Sequence, residues 1–451
     1  MTERRNVSRR SLLATTGAVP SAVALALAMA GCGPSRPKGR GGIPEPVSFL
    51  RTSWSTDPFA RCSYSFLAPG PLGRSVRTKL AAPVGERLHF AGEATSGEAP
   101  ATTTGALLSG RRVARDITAA AREGARVTVI GAGFAGLGCA RALADAGMRV
   151  RVLEGRARIG GRVWTRRIAG VPAEMGASWI HSWRDNPVTE LLKRTGGRSF
   201  AFDYDNTAGT DEAAMAELAR YTGKLDAIED PDTTAVSAVF PENPSPGLRW
   251  AANVTYTQEY ATEPGRLSVS ALEEGTGGRG GDVLLPDGYD RLIDRLRGEV
   301  EVRTGATVTA VRHGAGGTTV ILDGGEETES DHCVVTVPIG VLKAGGIAFD
   351  PPLPAEKRSA VDALGAGLMD KVWLRFDDVF WDRAADALEW FDPDEPGLWS
   401  YWVNGHKVFG EPLLLGFNAG HYAHRLARLP DHRVVSSAMD ALRRMHRRKH
   451  R

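Results

Sequence analysis

Cysteine is scarce, 4 in 451 residues, which excludes a small fold framed by disulfides. Charge of one sign is also lacking: 56 Lys and Arg stand against 53 Asp and Glu, for a net +3. That excess sits at the start, where Met1 to Cys32 hold Arg4, Arg5, Arg9 and Arg10 against Glu3. The remainder is balanced, so no nucleic-acid footprint is present. The basic run Arg443 to Arg451 reads as a solvated tail. Beyond the first segment no stretch approaches the ~18 apolar residues that span a bilayer. There is no internal repeat and no GxSxG elbow for a nucleophile. His421 and His424 lack the further clustered ligands of a metal site. Aromatic residues are 7%, hydrophobic 42% and charged 24%, a globular composition that excludes a largely disordered chain. Glycine is abundant, at 53 residues against a usual ~7%, which points to tight turns and close backbone–ligand contacts. The length suggests two or three domains.

Residues 1–32 read as an address. Ser8-Arg9-Arg10-Ser11-Leu12-Leu13 is a twin-arginine signature, and an apolar stretch from Leu12 to Ala30 ends at Met29-Ala30-Gly31-Cys32. This describes an export signal, with Cys32 resembling the acylated cysteine of bacterial lipoproteins; a plain cleaved signal or an anchor are the alternatives. The expected location is therefore extracytoplasmic, with membrane contact only through the signal or a lipid. Residues 33–44, rich in Gly, Pro and basic side chains, read as a tether. Cys62, Cys139 and Cys333 read as buried thiols.

Ala125 to Gly161 carries the most information. Arg126-Val-Thr-Val-Ile130 has the β-branched pattern of a buried strand. Gly131-Ala-Gly133-Phe-Ala-Gly136 follows. Helical spacing then runs over Leu137 to Ala146, Gly147 closes the helix, and Arg149 to Leu153 is a second strand with Glu154 at its end. Gly131 permits the turn, Gly133 lets backbone approach a pyrophosphate, and Gly136 lets helix and strand pack. Free N–H groups and the helix dipole face the phosphates. Glu154 stands at the ~20-residue spacing where an acid meets ribose hydroxyls. The strand, glycines, helix, strand and acid in register point to a dinucleotide site. Arg158-Ile-Gly160-Gly161-Arg162 adds a second close-approach loop that a nicotinamide site does not need, which favours FAD. The fold class expected is α/β: a Rossmann-type FAD-binding domain built from discontinuous segments, with an α+β substrate domain around a mixed sheet.

Val127 to Arg162, with Glu174-Met-Gly176-Ala-Ser-Trp179-Ile-His181, resembles the start of a flavin-dependent amine oxidase, the family of monoamine oxidases, polyamine oxidases and flavin-type histone demethylases. The likeness continues in Leu285-Pro-Asp-Gly-Tyr289, Val334 to Lys343, and Lys371-Val-Trp-Leu-Arg-Phe376 with Phe380-Trp381. The pieces are in an unusual order. Trp54 to Phe59, Ser63-Tyr64-Ser65, Leu88 to Ser96, Pro100-Ala-Thr102 and Gly105 to Arg111 resemble the family's C-terminal flavin-binding segment, yet precede the fingerprint. Joining Arg451 to Gly41 restores the usual order, so the chain reads as a circular permutant, which a fold with adjacent termini tolerates; a rearranged gene or an assembly error, whose product need not fold well, is the alternative. The organisation expected is flavin-binding segments 45–117, 126–182 and 281–345, with substrate-domain segments 183–280 and 346–451. The first of these two substrate segments, with Pro241, Pro244, Pro246 and a glycine cluster, is expected to hold mobile loops.

The resemblance implies site residues. Lys371 matches the lysine that bonds a water beside flavin N5, where a desolvated amine assists proton and oxygen chemistry. Gly92-Glu93 matches the acid near the ribityl or phosphate region, and Trp54 a tryptophan beside the isoalloxazine. Thr102 begins a helix-leading turn toward the flavin N1/O2 edge. Val308 presents backbone to the adenine end, or is a plain core strand. Tyr64 matches one wall of an aromatic cage that aligns an amine; the second wall of monoamine oxidases is absent, with Thr102 in its place. His181 resembles the active-site histidine of polyamine oxidases. Ser63 rather than Cys62 matches the cysteine that anchors flavin covalently in monoamine oxidases, so FAD is expected to be noncovalent. No metal is expected. The leading expectation is oxidation of a primary or secondary amine, possibly a polyamine, with molecular oxygen as acceptor and hydrogen peroxide as product. The alternatives are an L-amino-acid oxidase, which needs an arginine for the substrate carboxylate, and a flavin-binding protein without turnover.

Overall fold

The computed structural model describes residues 42–275 and 278–449. The export signature, Cys32 and nearly all of the tether lie outside the described residues. Five parallel strands form one sheet, in the order Val302–Arg303, Arg149–Leu153, Arg126–Ile130, His332–Val335 and Leu88–Phe90. Val127, Val129, Val152, Val334 and Leu88 are buried, as strands covered on both faces require. Leu88–Phe90, which precedes all the others in the chain, takes an outer position beside His332–Val335.

Two helices cover this sheet. Thr103–Ala120 is capped by Thr102, whose Oγ1 accepts from the Gly105 N–H at 3.0 Å, and it leads through residues 121–125 into the strand Arg126–Ile130. It lies against Phe134–Asp145 so closely that a Cβ on Gly110 would meet the Ala135 carbonyl at 2.1 Å. Phe134–Asp145 starts one turn earlier than the helical spacing from Leu137 suggests. Gly133, in extended backbone with φ −83°, opens the helix, and the small residues Ala135 and Gly136 are its first turn rather than loop.

A second, six-stranded sheet runs Ser48–Arg51, Met369–Arg375, Leu413–Ala419, Tyr401–Asn404, Ala387–Glu389 and Thr207–Ala208. Its pairs are antiparallel except the last. Lys371 is the third residue of Met369–Arg375 and is 7% exposed. Where the sequence suggests loops over 183–280, helices form: Pro187–Thr195, Glu212–Thr222 and Pro246–Ala252, the last running into a π-helical turn, Asn253–Thr257. Leu248, Trp250 and Tyr256 bury one face of that stretch against Phe66, Val76 and Leu80. Cys62, Cys139 and Cys333 are buried free thiols. Among the described residues no helix is long and apolar enough to cross a membrane, and no group of His, Cys, Asp and Glu could hold a metal.

Candidate active site

One cavity of about 1530 Å³ runs from the glycine turn of the parallel sheet to the face of the six-stranded sheet. At the sheet end, Gly131 has φ +103°, a conformation that favours glycine, and a Cβ there would meet Thr336 Oγ1 at 2.6 Å. A Cβ on Gly133 would meet only the Gly160 carbonyl, at 3.9 Å, so its open side faces the cavity. Gly136 is the exception among the fingerprint residues: it does not line the cavity, and a Cβ there would strike the Gly131 carbonyl at 1.9 Å. Its work is packing turn against helix, the role that its place in the fingerprint implies. The helix Phe134–Asp145 has no side-chain cap, so the free N–H groups of its first turn leave an anion-attracting end. Glu154 is buried at the next strand end; its Oε2 accepts from the Ala132 N–H at 2.8 Å and its Oε1 from the Arg156 N–H at 2.9 Å. Gly160 and Gly161 take positive φ of 98° and 60° and lie across from Gly133. Val308 opens the strand Val308–Gly314 and lines the same end.

The middle of the cavity is a buried polar chain. Glu93 Oε1 accepts from Arg162 Nη1 at 2.9 Å, and Oε2 accepts from Ser65 Oγ at 2.6 Å and the Ala101 N–H at 3.1 Å. Burial works against the Glu93 charge, but Arg162, Ser65 and Arg77 outweigh it and hold the carboxyl below its ordinary range. Arg77, itself buried, donates to Ser65 Oγ at 2.8 Å and forks onto Glu274 at 2.6 and 2.8 Å. Protein donors thus take up both oxygens of Glu93. It fixes Arg162, the Tyr64–Phe66 strand at Ser65, and Ala101, whose φ of 60° is uncommon for a residue with a side chain. Gly92, at φ 132°, delivers Glu93 into this wall.

At the far end stands Lys371. Its Nζ donates to Ser178 Oγ at 2.6 Å, to the Gly176 carbonyl, and to the Glu174 carbonyl at 3.4 Å. Its ammonium lies 5.4 Å from the centre of the Phe417 ring. Burial pulls its pKa down to about 7, against a smaller opposite pull from Glu174. Burial likewise pushes the Glu174 carboxyl up to about 7. Trp54 packs edge-on to Trp164 with ring centres 6.1 Å apart, and its backbone N–H is held by Asp370 at 3.0 Å. Tyr64 donates to the Glu259 carbonyl at 3.0 Å. His181 Nδ1 lies 2.7 Å from Asp282 Oδ2.

Every sequence-derived site residue except Gly136 therefore meets in one cavity. Sequence reading missed Asp282, Tyr204, Phe417 and Tyr401. The last two carry no local motif, and Asp282 lies 101 positions from the histidine it touches. Glu174 and Ser178 were visible only as letters of a matching stretch.

The model of the family described as flavin containing amine oxidoreductase matches residues 37–118, 134–259 and 260–450. Polyamine oxidase 4 of Oryza sativa subsp. japonica is 31% identical over 355 residues, covering 71% of this chain and 72% of that protein. Polyamine oxidase 2 of Arabidopsis thaliana is 31% identical over 356 residues, with 71% and 72% covered. Among solved structures, wild-type putrescine oxidase bound to putrescine has a similar fold, with a TM-score of 0.58 at 20% identity, over 70% of this chain and 80% of that one. The chain belongs to the flavin-containing amine oxidoreductase family.

Proposed function

We propose that this chain is an FAD-dependent oxidase of primary or secondary amines, with diamines and polyamines as the substrate class. The observation that carries this reading is the single cavity joining the glycine turn to the buried Lys371. The residues suit FAD on four counts: the open side of Gly133, the uncapped helix end, the buried acid Glu154, and a second glycine turn at Gly160 and Gly161. Gly131, Gly133 and the helix N–H groups would hold the pyrophosphate, Glu154 the ribose, and Val308 the adenine end. Arg162, Gly92, Thr102 and Trp54 would border the flavin. When bound, the coenzyme supplies the two-electron acceptor that no side chain provides. Cys62 is buried and outside the cavity wall, while Ser63 is in it, which supports noncovalent binding.

The protein's own part is orientation and proton handling. Tyr64, Trp179, Tyr401 and Phe417 line the far end and offer aromatic faces to an amine. Lys371, poised near neutrality, can take and return a proton there. The balanced reaction is amine, oxygen and water giving aldehyde or ketone, hydrogen peroxide, and ammonia from a primary amine or a smaller amine from a secondary one. An amino-acid substrate needs a free arginine. Of the five arginines in the wall, Arg77, Arg156 and Arg162 are already paired, with Glu274, Asp57 and Glu93, which leaves only Arg61 and Arg184 to meet a substrate carboxylate.

The same reading includes a circular permutation. It is supported by the separate family match of 37–118, by the direct run from Thr103–Ala120 into the fingerprint strand, and by the meeting of the two ends. Arg443 pairs with Glu45, and Ile43 shares a core with Leu442. Export by the twin-arginine route, with lipid on Cys32, rests on the sequence signature alone.

The test is peroxide release by the purified chain across putrescine, spermidine, simple monoamines and amino acids. Turnover of the diamines and polyamines is expected. Turnover of amino acids alone, or of nothing by a flavin-loaded chain, would contradict the reading.

A further inference from the structure

Resting on the amine-oxidase reading, we propose that Asp282 and Tyr204 are positioning residues that turn His181 into an acceptor for a second nitrogen of the substrate. Three donors converge on the Asp282 carboxylate, which is 6% exposed. The Ser182 N–H donates to Oδ1 at 2.9 Å, Tyr204 OH donates to Oδ2 at 2.9 Å, and His181 Nδ1 lies 2.7 Å from the same Oδ2. When ionised, such a carboxylate is an acceptor only. The short contact therefore requires the proton on His181 Nδ1. In the neutral ring that leaves the lone pair on Nε2, which has no hydrogen bond among the described residues. His181 lines the cavity and its ring is stacked on Trp179, with centres 6.3 Å apart. Both ring torsions are thereby restrained.

The local backbone is built around this contact. Ser182 has φ 51°, rare for a residue with a side chain, and Asp282 holds the N–H of that residue. Asp282 opens the strand Asp282–Leu284, which pairs with Trp179–Ile180 on one side and Phe200–Phe202 on the other. His181 and Ser182 directly follow Trp179–Ile180, and Tyr204 lies two residues beyond Phe200–Phe202, so the three donors come from just past the ends of the two flanking strands of one small sheet.

The spacing suits a diamine. Ser178 binds Lys371, and His181 is three residues further along the same stretch. Both residues line the cavity, so Ser178 with its Lys371 and His181 mark two separate points of one wall. A substrate with one amino group beside Lys371 and another several carbons away can reach Nε2. An amino nitrogen always carries an N–H, and a lone pair accepts it. A monoamine has nothing to offer at that position.

Two measurements on the full, flavin-loaded chain decide this. In histidine-labelled protein at pH 8, long-range nitrogen–proton spectra should show His181 protonated at Nδ1, its signals assigned by their loss in His181→Gln. Asp282→Asn should move population to the Nε2-protonated form. In kinetics, Asp282→Asn should lower kcat/KM for putrescine at least 10-fold more than kcat/KM for butylamine, through KM, and Tyr204→Phe should do the same to a smaller degree. An Nε2-protonated His181 in the native chain overturns the proposal. So do equal losses with both amines, the pattern of a merely structural defect. If none of putrescine, spermidine and butylamine is oxidised by the native chain, the oxidase reading falls, while the spectra still decide the positioning claim.

Discussion

At the scale of the residue, the proposed reaction assigns the chemistry that depends on protonation to Lys371. Its Nζ is enclosed by the Gly176 and Glu174 carbonyls, Ser178 Oγ and the Phe417 ring. The cost of burying its charge lowers its pKa to about 7. A lysine acting as a base is active once it has lost its proton, so kcat/KM is expected to rise as the pH climbs through about 7. Lys371→Met should lower the rate of flavin reduction by about 100-fold or more and remove that limb of the profile, with flavin still bound. A variant that keeps both rate and limb takes Lys371 out of the reaction. Lys371 was legible because it heads a recognisable run of letters. Tyr204 and Asp282 were not, because their partnership spans 78 positions and exists only once three strands align. Gly136, read from the fingerprint as a packing glycine, has its missing side chain against the Gly131 carbonyl rather than the cavity.

At the scale of the element, the turn between Arg126–Ile130 and Phe134–Asp145 separates folding from binding. Gly133 has a φ any residue adopts, −83°, and open space beside it. Gly133→Val should leave Tm nearly unchanged and deplete flavin strongly, read as the flavin-to-protein ratio. Gly136→Ala places a methyl group against backbone at 1.9 Å, an overpacking that costs about 1–3 kcal/mol, so Tm should fall along with flavin content. Equal flavin retention in Gly133→Val would remove the pyrophosphate from that turn. Both strands of the fingerprint were readable to the residue, since β-branched runs ended by glycine admit few other conformations. The segment 183–280 was not. Its prolines stand at or before helix starts, as Pro187 and Pro246 do, where they begin helices rather than break them. The apolar face of Leu248, Trp250 and Tyr256 is diluted in sequence by polar neighbours.

At the scale of the whole molecule, residues 42–120 supply the strand beside His332–Val335, the strand beside Met369–Arg375 and the helix packed on Phe134–Asp145. That segment also holds Trp54, Tyr64, Glu93 and Thr102, so the cavity cannot be assembled without it. Moving residues 41–117 behind Arg451 should preserve flavin content and Tm to within a few degrees, because Ile43 and Glu45 already lie against the final helix. A restored order that folds but stays free of flavin would contradict the permutation. The unusual order of the pieces was legible as displaced motifs; that they close on one cavity was not, since only strand pairing brings Leu88–Phe90 beside His332–Val335.

The most direct measurement is the visible spectrum of the purified full chain, before and after putrescine is added without oxygen. Yellow protein whose flavin bleaches with the diamine, and whose flavin stays in solution when the chain is precipitated with acid, is the expected result. A well-folded, colourless chain that remains empty after soaking in excess FAD would contradict it.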